Sequence, residues 1–428
     1  MTPEARKKKK LVVGGIELET SGLSIDSRSI RPGEVFFALR GSTGDGHRFV
    51  SESLDKGAVA AFIDNPEYHD PPKTILVDNV LESLKEAGLF LKNLANPGKM
   101  IGITGSVGKT TTKLWLSEIL NHHHKTFTTM NNYNTIYGLP IALSNIDDNL
   151  EYFILEMGTS HPGEISELSN YLSPDIGIIT NIFESHIGNF KDKAELADEK
   201  ISIIDGMRRG GILIFDGDSE YAEKIKMAAS AKKIQTISVG FSVGCDVMVR
   251  MESSPRHHSY IKGCIEAVLM ALDLDIEKFL PYFDGLKPLK GRGEIIDCRY
   301  NGKLFTLIDE SYNASPTAMM AAIENLDHNY RKPKKVAIIG QMKDLGDHEE
   351  YYHRIVAERL SRCTLDGYFF IGDEELWKIF AGATTCYAFL DPNRIEEILS
   401  KIPDGAVVLL KGSHTIRLDG IINQSCLF

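Results

Sequence analysis

Short, continuously apolar runs recur along the chain and predict buried β-strands. In its central part they cover Met100–Thr104, Tyr152–Glu156, Ile176–Thr180 and Gly211–Phe215. Runs that are apolar at nearly every position are typical of strands covered on both faces of a parallel sheet, and the helical patterns between them supply those covers. This alternation predicts a doubly wound α/β domain.

The same rhythm is found towards both ends of the chain, and breaks separate the three parts. The further runs are Val35–Leu39, Val59–Ile63 and Thr74–Val77, and then Leu304–Ile308, Lys335–Ile339, Gly367–Ile371 and Ala406–Leu410. Pro and Gly interrupt helices and strands alike, so Asn96-Pro97-Gly98 and Pro281–Gly293 are predicted linkers. We expect three α/β domains, at 1–97, 98–287 and 288–428.

Composition and charge narrow the class of protein. The 428 residues are 43% apolar and 25% charged, which is ordinary for a globular protein. The 48 basic and 59 acidic residues leave a net charge of −11, so binding of nucleic acid by broad charge attraction is not expected. Any anion that the protein holds needs a local site. We expect a monomer.

The sequence shows no sign of export or of membrane insertion. No apolar run approaches the roughly 18 residues of a membrane helix, and no apolar core follows the basic start Arg6–Lys10, which is interpreted as a solvated tail. The cysteines form no CxxC pair, so neither a zinc site nor a disulfide framework is expected. These observations favour a reducing cytoplasm. The cysteines are Cys245, Cys264, Cys298, Cys363, Cys386 and Cys426.

The strongest local signal is a glycine-rich turn that ends the first central strand and reads Thr104-Gly105-Ser106-Val107-Gly108-Lys109-Thr110-Thr111. In a phosphate loop, backbone N–H groups surround phosphate oxygens, the lysine reaches the β- and γ-phosphates, and the hydroxyl ligates Mg²⁺. The strict pattern GxxxxGK[ST] requires glycine where this chain has Ile103, so the loop is a variant form. An ordinary strand–turn–helix is the disfavoured alternative.

Two more candidates follow the ends of central strands. Glu156 closes an apolar strand, and a carboxylate at the carboxyl end of a parallel strand beside a phosphate loop is well placed for Mg²⁺. His186 follows Thr180-Asn181 and is a candidate second metal ligand, although a lone histidine is more often structural. No Asn-Lys-x-Asp segment of the guanine-reading kind is present, which disfavours a GTPase.

These motifs and others, taken in order along nearly the whole chain, resemble the Mur ligases, the ATP-dependent amide ligases of peptidoglycan precursor synthesis. The resemblance is strongest to the branch that adds D-alanyl-D-alanine to a UDP-N-acetylmuramoyl-tripeptide. The motifs are Asp26-Ser27-Arg28, Pro32–Gly41, Asp45-Gly46-His47, the loop Thr104–Thr110, Asn132-Tyr133-Asn134 with Gly138-Leu139-Pro140, Glu156-Met157-Gly158 with His161–Ile165, Thr180-Asn181 with His186, Asp309–Pro316 and Lys411-Gly412-Ser413.

The resemblance implies a reaction in which ATP turns the carboxylate of UDP-MurNAc-tripeptide into an acyl phosphate, which the amine of D-Ala-D-Ala then attacks. It implies ATP and two Mg²⁺ ions. It assigns the UDP end to the first domain, ATP and Mg²⁺ to the second, and closure over ATP and amine binding to the third. It further implies that the central domain is P-loop ATPase-like and that the last domain is Rossmann-like. Two alternatives stay open: a Mur ligase with another amino donor, such as the enzyme that adds the third residue, and an ATP-binding regulatory protein without ligase turnover.

The resemblance also implies roles for individual residues. The catalytic residues are Lys109, His186 and Lys200, the last one carbamylated, and the Mg²⁺ ligands are Thr110, Glu156, His186 and Lys200. The implied ATP contacts are Gly105, Ser106, Val107, Gly108, Lys109, Thr110, Thr111, His258, Arg292, Asp309 and Asn313, and the implied UDP contacts are Ser27, Arg28, Asp45, Gly46 and His47. On the residues alone, Lys200 is a solvated helix lysine, Arg292 a linker charge and Asp309 a helix or turn cap.

The chain departs from the family pattern at His258, where an asparagine is expected, and at Thr135. An asparagine amide matches the N6 and N7 atoms of adenine together, whereas an imidazole carries its two nitrogens on opposite sides of the ring. We therefore expect weaker selection of adenine. In the alternative, backbone groups read the adenine and His258 caps the helix.

Overall fold

The computed structural model describes residues 7–41, 44–95, 98–129, 133–146, 149–250, 255–330, 334–381, 386–389 and 394–425. Its strands form three main sheets, one in each third of the chain, with helices packed on them. This arrangement confirms the expected three-domain α/β fold. Asn96 and Pro97 of the first predicted linker, Asn132 and Cys426 lie outside the described residues.

The N-terminal domain is a small sheet covered by helices. Its elements are β1 Lys9–Val13, β2 Ile16–Thr20, β3 Gly22–Ser24, β4 Glu34–Phe37, β5 Arg40–Gly41, β6 Gly44–Asp45, α1 Val50–Asp55, β7 Ala60–Ile63, β8 Thr74–Leu76 and α2 Val80–Leu94. Four parallel strands run in the order β3-β4-β7-β8, and β1 and β2 form an antiparallel hairpin. Apolar residues of this sheet, the hairpin and α2 share one core.

The hairpin corrects one expectation from the sequence. The sequence predicts a solvated tail over Arg6–Lys10, but Lys9 and Lys10 both lie in β1, and Lys10 pairs with Glu17 across the hairpin at 2.7 Å. The Nζ of Lys9 donates to the carbonyl of Ser144 at 3.3 Å and to that of Ile146. The tail prediction is therefore wrong for these two lysines, because Leu11 and Val13, which follow them in β1, are buried in the core of the domain. Arg6 lies outside the described residues.

The central domain is a seven-stranded parallel sheet with helices on both faces. Its elements are β9 Lys99–Thr104, α3 Lys109–Leu120, β10 Thr126–Thr128, α4 Gly138–Ser144, β11 Tyr152–Glu156, α5 Glu164–Leu172, β12 Ile176–Ile179, α6 Lys193–Ile201, β13 Ile212–Asp216, α7 Ala222–Ala231, β14 Gln235–Gly240, β15 Val247–Met248, α8 Arg256–Ala271 and α9 Leu280–Phe283. The strand order is β10-β11-β9-β12-β13-β14-β15. The four predicted strands correspond to β11, β9, β12 and β13, which are consecutive in this order.

The C-terminal domain holds a mixed six-stranded sheet in the order β16-β17-β21-β18-β19-β20, in which only the pair β16–β17 is antiparallel. Its elements are β16 Glu294–Tyr300, β17 Lys303–Glu310, α10 Pro316–Asn329, β18 Lys335–Gly340, α11 Glu349–Ser361, β19 Gly367–Ile371, α12 Glu374–Phe380, β20 Cys386–Phe389, α13 Ile395–Lys401, β21 Ala406–Lys411 and α14 Asp419–Ser425.

A loop of the central domain packs on the C-terminal domain and so brings their two sheet edges together. Ile187, Phe190 and Leu196 join the apolar core of the C-terminal domain. The N–H of Gly188 donates to the carbonyl of Asp344 at 3.1 Å, and a Cβ added to Gly188 would come within 2.3 Å of Gly346 N. This close approach brings the segment that follows β12 into contact with residues that follow β18. Among the described helices, none has the length and apolarity that a bilayer crossing requires.

Candidate active site

The glycine-rich turn between β9 and α3 has the form of a phosphate loop. Gly105 and Gly108 adopt φ of 139° and 88°, and a Cβ on Gly105 would lie 2.0 Å from Thr180 Oγ1, so a side chain is excluded there. Asn181 Oδ1 accepts from the Val107 N–H at 2.9 Å, and Thr180 Oγ1 donates to the Val107 carbonyl at 2.7 Å. The end of β12 therefore acts as the scaffold of the loop, a role that the sequence alone did not assign.

Lys109, the first residue of α3, folds back over this loop. Its Nζ donates to the Gly105 carbonyl at 2.7 Å and to the Ser106 carbonyl at 3.4 Å. Burial lowers the pKa of Lys109, while the negative charge of Glu156 opposes that shift. The ammonium group is thus held by two carbonyl oxygens at the mouth of the loop, where a phosphate would compete for it.

Glu156, at the end of β11, receives hydrogen bonds from two neighbouring segments. Thr110 Oγ1 donates to its Oε2 at 2.9 Å, and Asn134 Nδ2 donates to its Oε1 at 3.2 Å. Burial raises the pKa of Glu156, but Lys109 and Lys113 outweigh that effect and hold it below its ordinary value. The carboxylate is therefore ionised at neutral pH.

Lys113, one helical turn after Lys109, is a residue that sequence reasoning missed. It is almost fully buried, its Nζ donates to the Thr129 carbonyl at 2.8 Å and to Thr129 Oγ1 at 3.2 Å, and it lies 3.7 Å from Glu156 Oε2. The i, i+4 spacing from Lys109 places both lysines on one face of α3, which is the signal that could have identified it.

The pair Thr110 and Glu156 fits a magnesium ion. A hydroxyl oxygen and an ionised carboxylate oxygen are hard donors, and 2.9 Å apart they can share one hard cation. In the part of the chain that the structure describes, no group of three or more His, Cys, Asp and Glu side chains is arranged to hold a metal. Mg²⁺ commonly keeps waters and phosphate oxygens as its other ligands, so two protein oxygens are sufficient.

His186 lies at the boundary between the central and C-terminal domains. It adopts a left-handed conformation with φ of 62°, and its Nδ1 lies 3.2 Å from Oδ2 of Asp344. Burial and the charge of Lys109 lower the pKa of His186, and Asp344 opposes that shift. The imidazole is therefore neutral at neutral pH, which is the form that can bind a metal.

Lys200 is buried in α6 with 1% of its surface exposed, so its interpretation as a solvated helix lysine is wrong. Burial and the charge of Lys109 lower the pKa of Lys200 to about 7, while Glu199 opposes the shift. Glu199 itself is used elsewhere, since its carboxylate accepts from the N–H groups of Gly163 at 2.6 Å and Ile165 at 2.7 Å at the start of α5. The Lys200 amine therefore spends much of its time uncharged at neutral pH.

Arg292 reaches from the second linker into the phosphate loop. Its Nη2 donates to Thr110 Oγ1 at 3.0 Å, and its guanidinium carbon lies 3.9 Å from the ring centroid of Tyr312. Burial lowers the pKa of Arg292, and a guanidinium stays charged in proteins nonetheless. The arginine is therefore far from being a solvated linker charge.

Asp309 is completely buried, and both of its carboxylate oxygens are occupied. Oδ2 accepts from the Gly291 N–H at 2.8 Å, and Oδ1 accepts from Ser311 Oγ at 2.6 Å and from the Ser311 N–H at 3.1 Å. This arrangement matches the turn cap that the sequence left open as an alternative. The exposed Asn313 follows, its carbonyl accepts from Lys411 Nζ at 3.2 Å, and it lines an interdomain cleft with His186 and Asp344.

His258, near the start of α8, is 4% exposed and packs 5.1 Å from the ring of Trp115. Burial and the neighbouring His257 lower its pKa to about 3, so the imidazole is neutral. Its Nε2 is buried, and no hydrogen-bond partner for it exists among the described residues. The nearby Gly293 would place a Cβ 3.6 Å from the ring, which locates His258 beneath the second linker.

The candidate UDP contacts lie in the N-terminal domain and differ in how available they are. The Arg28 side chain is 87% exposed, and Asp26 accepts from its Nε at 2.9 Å and its Nη2 at 2.8 Å. Ser27 is buried. Asp45 accepts from the backbone N–H of the buried His47 at 3.0 Å, and their side chains meet at 2.6 Å. Gly46 leaves no room for a Cβ, which would meet the Leu39 carbonyl at 2.6 Å.

Three family models match the chain in succession. The first, described as the Mur ligase family catalytic domain, matches residues 19–88. The Mur ligase middle domain matches residues 103–265, and the Mur ligase glutamate ligase domain matches residues 291–414.

Whole-chain comparisons agree with the domain matches. UDP-N-acetylmuramoyl-tripeptide–D-alanyl-D-alanine ligase of Rickettsia prowazekii is 32% identical over 96% of this chain and 97% of its own, and that of Bacillus subtilis is 30% identical over 94% and 92%. The crystal structure of MurF from Acinetobacter baumannii superimposes with a TM-score of 0.84 at 26% identity, covering 95% of this chain and 93% of its own. MurF ligase from Thermotoga maritima in complex with ADP gives 0.81 at 26% identity, covering 94% and 96%.

Proposed function

The chain belongs to the Mur ligase family, and on that premise we propose that it joins D-alanyl-D-alanine to UDP-N-acetylmuramoyl-tripeptide with ATP, releasing ADP and phosphate. Relatives that bear the name of this ligase match the chain over nearly its full length. The observation that carries the proposal is the convergence of Lys109, Glu156 and Arg292 on the hydroxyl of Thr110 and its loop. We further propose that the protein works in the cytoplasm as a monomer.

The chemistry explains why charged groups meet at this loop. A carboxylate is a poor acyl donor because its leaving group would be oxide, and transfer of the γ-phosphoryl group of ATP replaces that leaving group with phosphate. The amine of D-Ala-D-Ala then adds to the acyl carbon, and the tetrahedral intermediate expels phosphate as the amide forms. The protein contributes mainly by aligning the reactants and by neutralising charge on the phosphoryl group.

The residues of the loop divide this work. The backbone N–H groups of 105–111 surround the phosphates, Lys109 exchanges its carbonyl partners for phosphate oxygens, and Arg292 adds a second positive charge from the other domain. Thr110 and Glu156 hold Mg²⁺, which withdraws charge from the phosphate oxygens when it is bound. We further propose that His258, Asp309 and Asn313 contribute to the nucleotide site, Asp309 by holding the backbone of Gly291 beside Arg292.

We propose that Lys200 is carbamylated and, with His186, holds a second Mg²⁺. The uncharged Nζ attacks carbon dioxide, an N–C bond forms, and the nitrogen loses one proton to solvent, which leaves a carbamate anion with two oxygens. Such an anion suits a hard cation, whereas a protonated amine repels it. Burial of Lys200, together with Glu199 being occupied by the N–H groups of α5, supports this assignment.

The three domains have separate tasks under this proposal. Residues 1–97 bind the UDP end through Ser27, Arg28, Asp45, Gly46 and His47, residues 98–287 bind ATP and Mg²⁺, and residues 288–428 close over ATP and accept the incoming amine. The exposed Arg28 is the side chain of that set best able to turn from Asp26 to a diphosphate.

A phosphate-release screen tests the reaction. UDP-muramoyl peptides of different length are combined with D-Ala-D-Ala or with single amino acids, and we expect release only with the tripeptide and D-Ala-D-Ala together. Release with a dipeptide acceptor and a diamino acid would instead identify a ligase with another amino donor. Release indifferent to both substrates would show an ATPase or an ATP-binding regulator.

A further inference from the structure

The guanidinium of Arg292 rests on an aromatic ring, and we propose that Tyr312 is the positioning residue that holds it in the phosphate loop. Tyr312 belongs to the C-terminal domain and Thr110 to the central domain, so the arginine bridges a ring on one side and a hydroxyl on the other. The inference rests on the proposed function, because it assigns to Tyr312 a part in binding ATP.

The backbone on both sides of Arg292 is fixed against the strand that precedes Tyr312. The N–H of Gly291 donates to Asp309 Oδ2 at 2.8 Å and the N–H of Gly293 donates to the Asp309 carbonyl at 2.7 Å. The N–H of Tyr312 in turn donates to the Gly291 carbonyl at 3.1 Å. Arg292 and Tyr312 are therefore tied together at the main chain, and the stacking of their side chains follows from a rigid frame.

Arg292 makes no ion pair with a carboxylate within 4.0 Å among the described residues. A carboxylate partner would neutralise the guanidinium and compete with a phosphate for its N–H donors. An aromatic face attracts the cation through its quadrupole without occupying those donors, and the Tyr312 hydroxyl adds a hydrogen bond with the guanidinium. The ring can thus hold Arg292 in place while its N–H groups stay available at Thr110.

If the ring of Tyr312 holds Arg292 in place, the contribution of Tyr312 to nucleotide binding depends on Arg292. Removing the ring leaves the arginine charged but free to sample other rotamers, so each phosphate contact costs additional conformational entropy. Removal of the ring should therefore weaken the binding of nucleotide and lower kcat/KM for ATP. It should leave the binding of the UDP substrate unchanged, because that site lies in another domain.

The test compares Tyr312→Leu with Tyr312→Phe, using Mg²⁺ and a non-hydrolysable ATP analogue in calorimetry and ATP in the ligase assay. We expect Tyr312→Leu to weaken binding of the analogue at least about fivefold and to lower kcat/KM for ATP by a similar factor, which is the scale of a desolvated cation–π contact. Tyr312→Phe retains the ring and should recover most of that loss. Tyr351→Leu, at a tyrosine 60% exposed in the same domain, controls for the substitution itself.

A double-mutant cycle separates positioning from structural damage. If Tyr312 acts through Arg292, then Tyr312→Leu has no further effect on analogue binding in an Arg292→Ala background. An undiminished effect in that background, or a Tyr312→Phe variant as weak as Tyr312→Leu, would overturn the proposal. The binding measurement stays informative if the wild type binds the analogue but ligates no amine, an outcome that would refute the proposed function alone.

Discussion

Replacing Lys200 with methionine should abolish the reaction and yet stabilise the fold. The amine has a pKa of about 7 in the folded protein against an ordinary value of 10.5, which corresponds to a proton affinity lower by a factor of about 3000. At pH 7 the lysine is fully protonated in the unfolded chain but only about half protonated in the folded protein. This difference in proton binding lowers the free energy of unfolding by roughly 4 kcal/mol. Methionine has a similar length and carries no such cost, so the free energy of unfolding should rise by up to that amount.

The sign of the pH dependence follows from the same shift. Between pH 7 and pH 10.5 the unfolded wild type binds more protons than the folded one, so the stability of the wild type rises with pH across this window. The advantage of Lys200→Met should therefore be largest at and below pH 7 and should disappear towards pH 10.5. Bicarbonate should reduce the difference in stability between Lys200→Met and the wild type at pH 7 to 8, because a carbamate that forms only in the folded state stabilises the folded wild type.

The assay pairs urea denaturation in carbon dioxide-free buffer with phosphate release. Lys113→Met is the matched control, since Lys113 is equally buried but donates to Thr129 and lies beside Glu156, so its removal should destabilise the protein. Acetate should restore part of the activity of Lys200→Ala by replacing the carbamate. A Lys200→Met variant that is less stable than the wild type and retains turnover would show that Lys200 is a structural lysine.

Three further predictions concern the other sites. Lys109→Ala should lower turnover at least about 100-fold, the scale of losing one strong electrostatic donor; near-normal turnover of the purified variant would contradict the phosphate-loop assignment. Arg28→Ala should raise the KM for the UDP substrate and leave that for ATP nearly unchanged, and a change confined to ATP would show that the domain roles are reversed. GTP should support turnover within about 100-fold of ATP, and His258→Asn should sharpen the preference for ATP; strict ATP specificity in both proteins would remove His258 from the site.

The sequence alone was sufficient to predict the phosphate loop and most strands of the sheet interiors, but not β14, which lies between β13 and β15. Tyr152–Glu156 and Gly367–Ile371 have the predicted bounds, because strands buried on both faces leave an unbroken apolar run. Two edge strands leave no such run: β16 has only one buried residue among exposed and half-buried ones, and β10 has three half-buried residues, so the sequence does not predict either.

The individual site residues needed the tertiary structure, since their environments come from segments far apart in the chain. Whether Lys200 is solvated depends on packing around α6, and the pairing of Arg292 with Thr110 joins residues 182 positions apart. Asp309 acts as a turn cap because it accepts hydrogen bonds from both Gly291 and Ser311, and the contact with Gly291 depends on how the linker packs on the domain.

The sequence by itself therefore determined the features that depend on residues close together in the chain. These are the three α/β units, the glycine-rich turn of the phosphate loop, and the motifs that resemble the Mur ligases. Only the tertiary structure decided which charges are buried, which carboxylates are already occupied and which ring lies under Arg292. The physical reason is that hydrophobic period and turn chemistry act between near neighbours, whereas desolvation and ion pairing depend on everything that packs around a group.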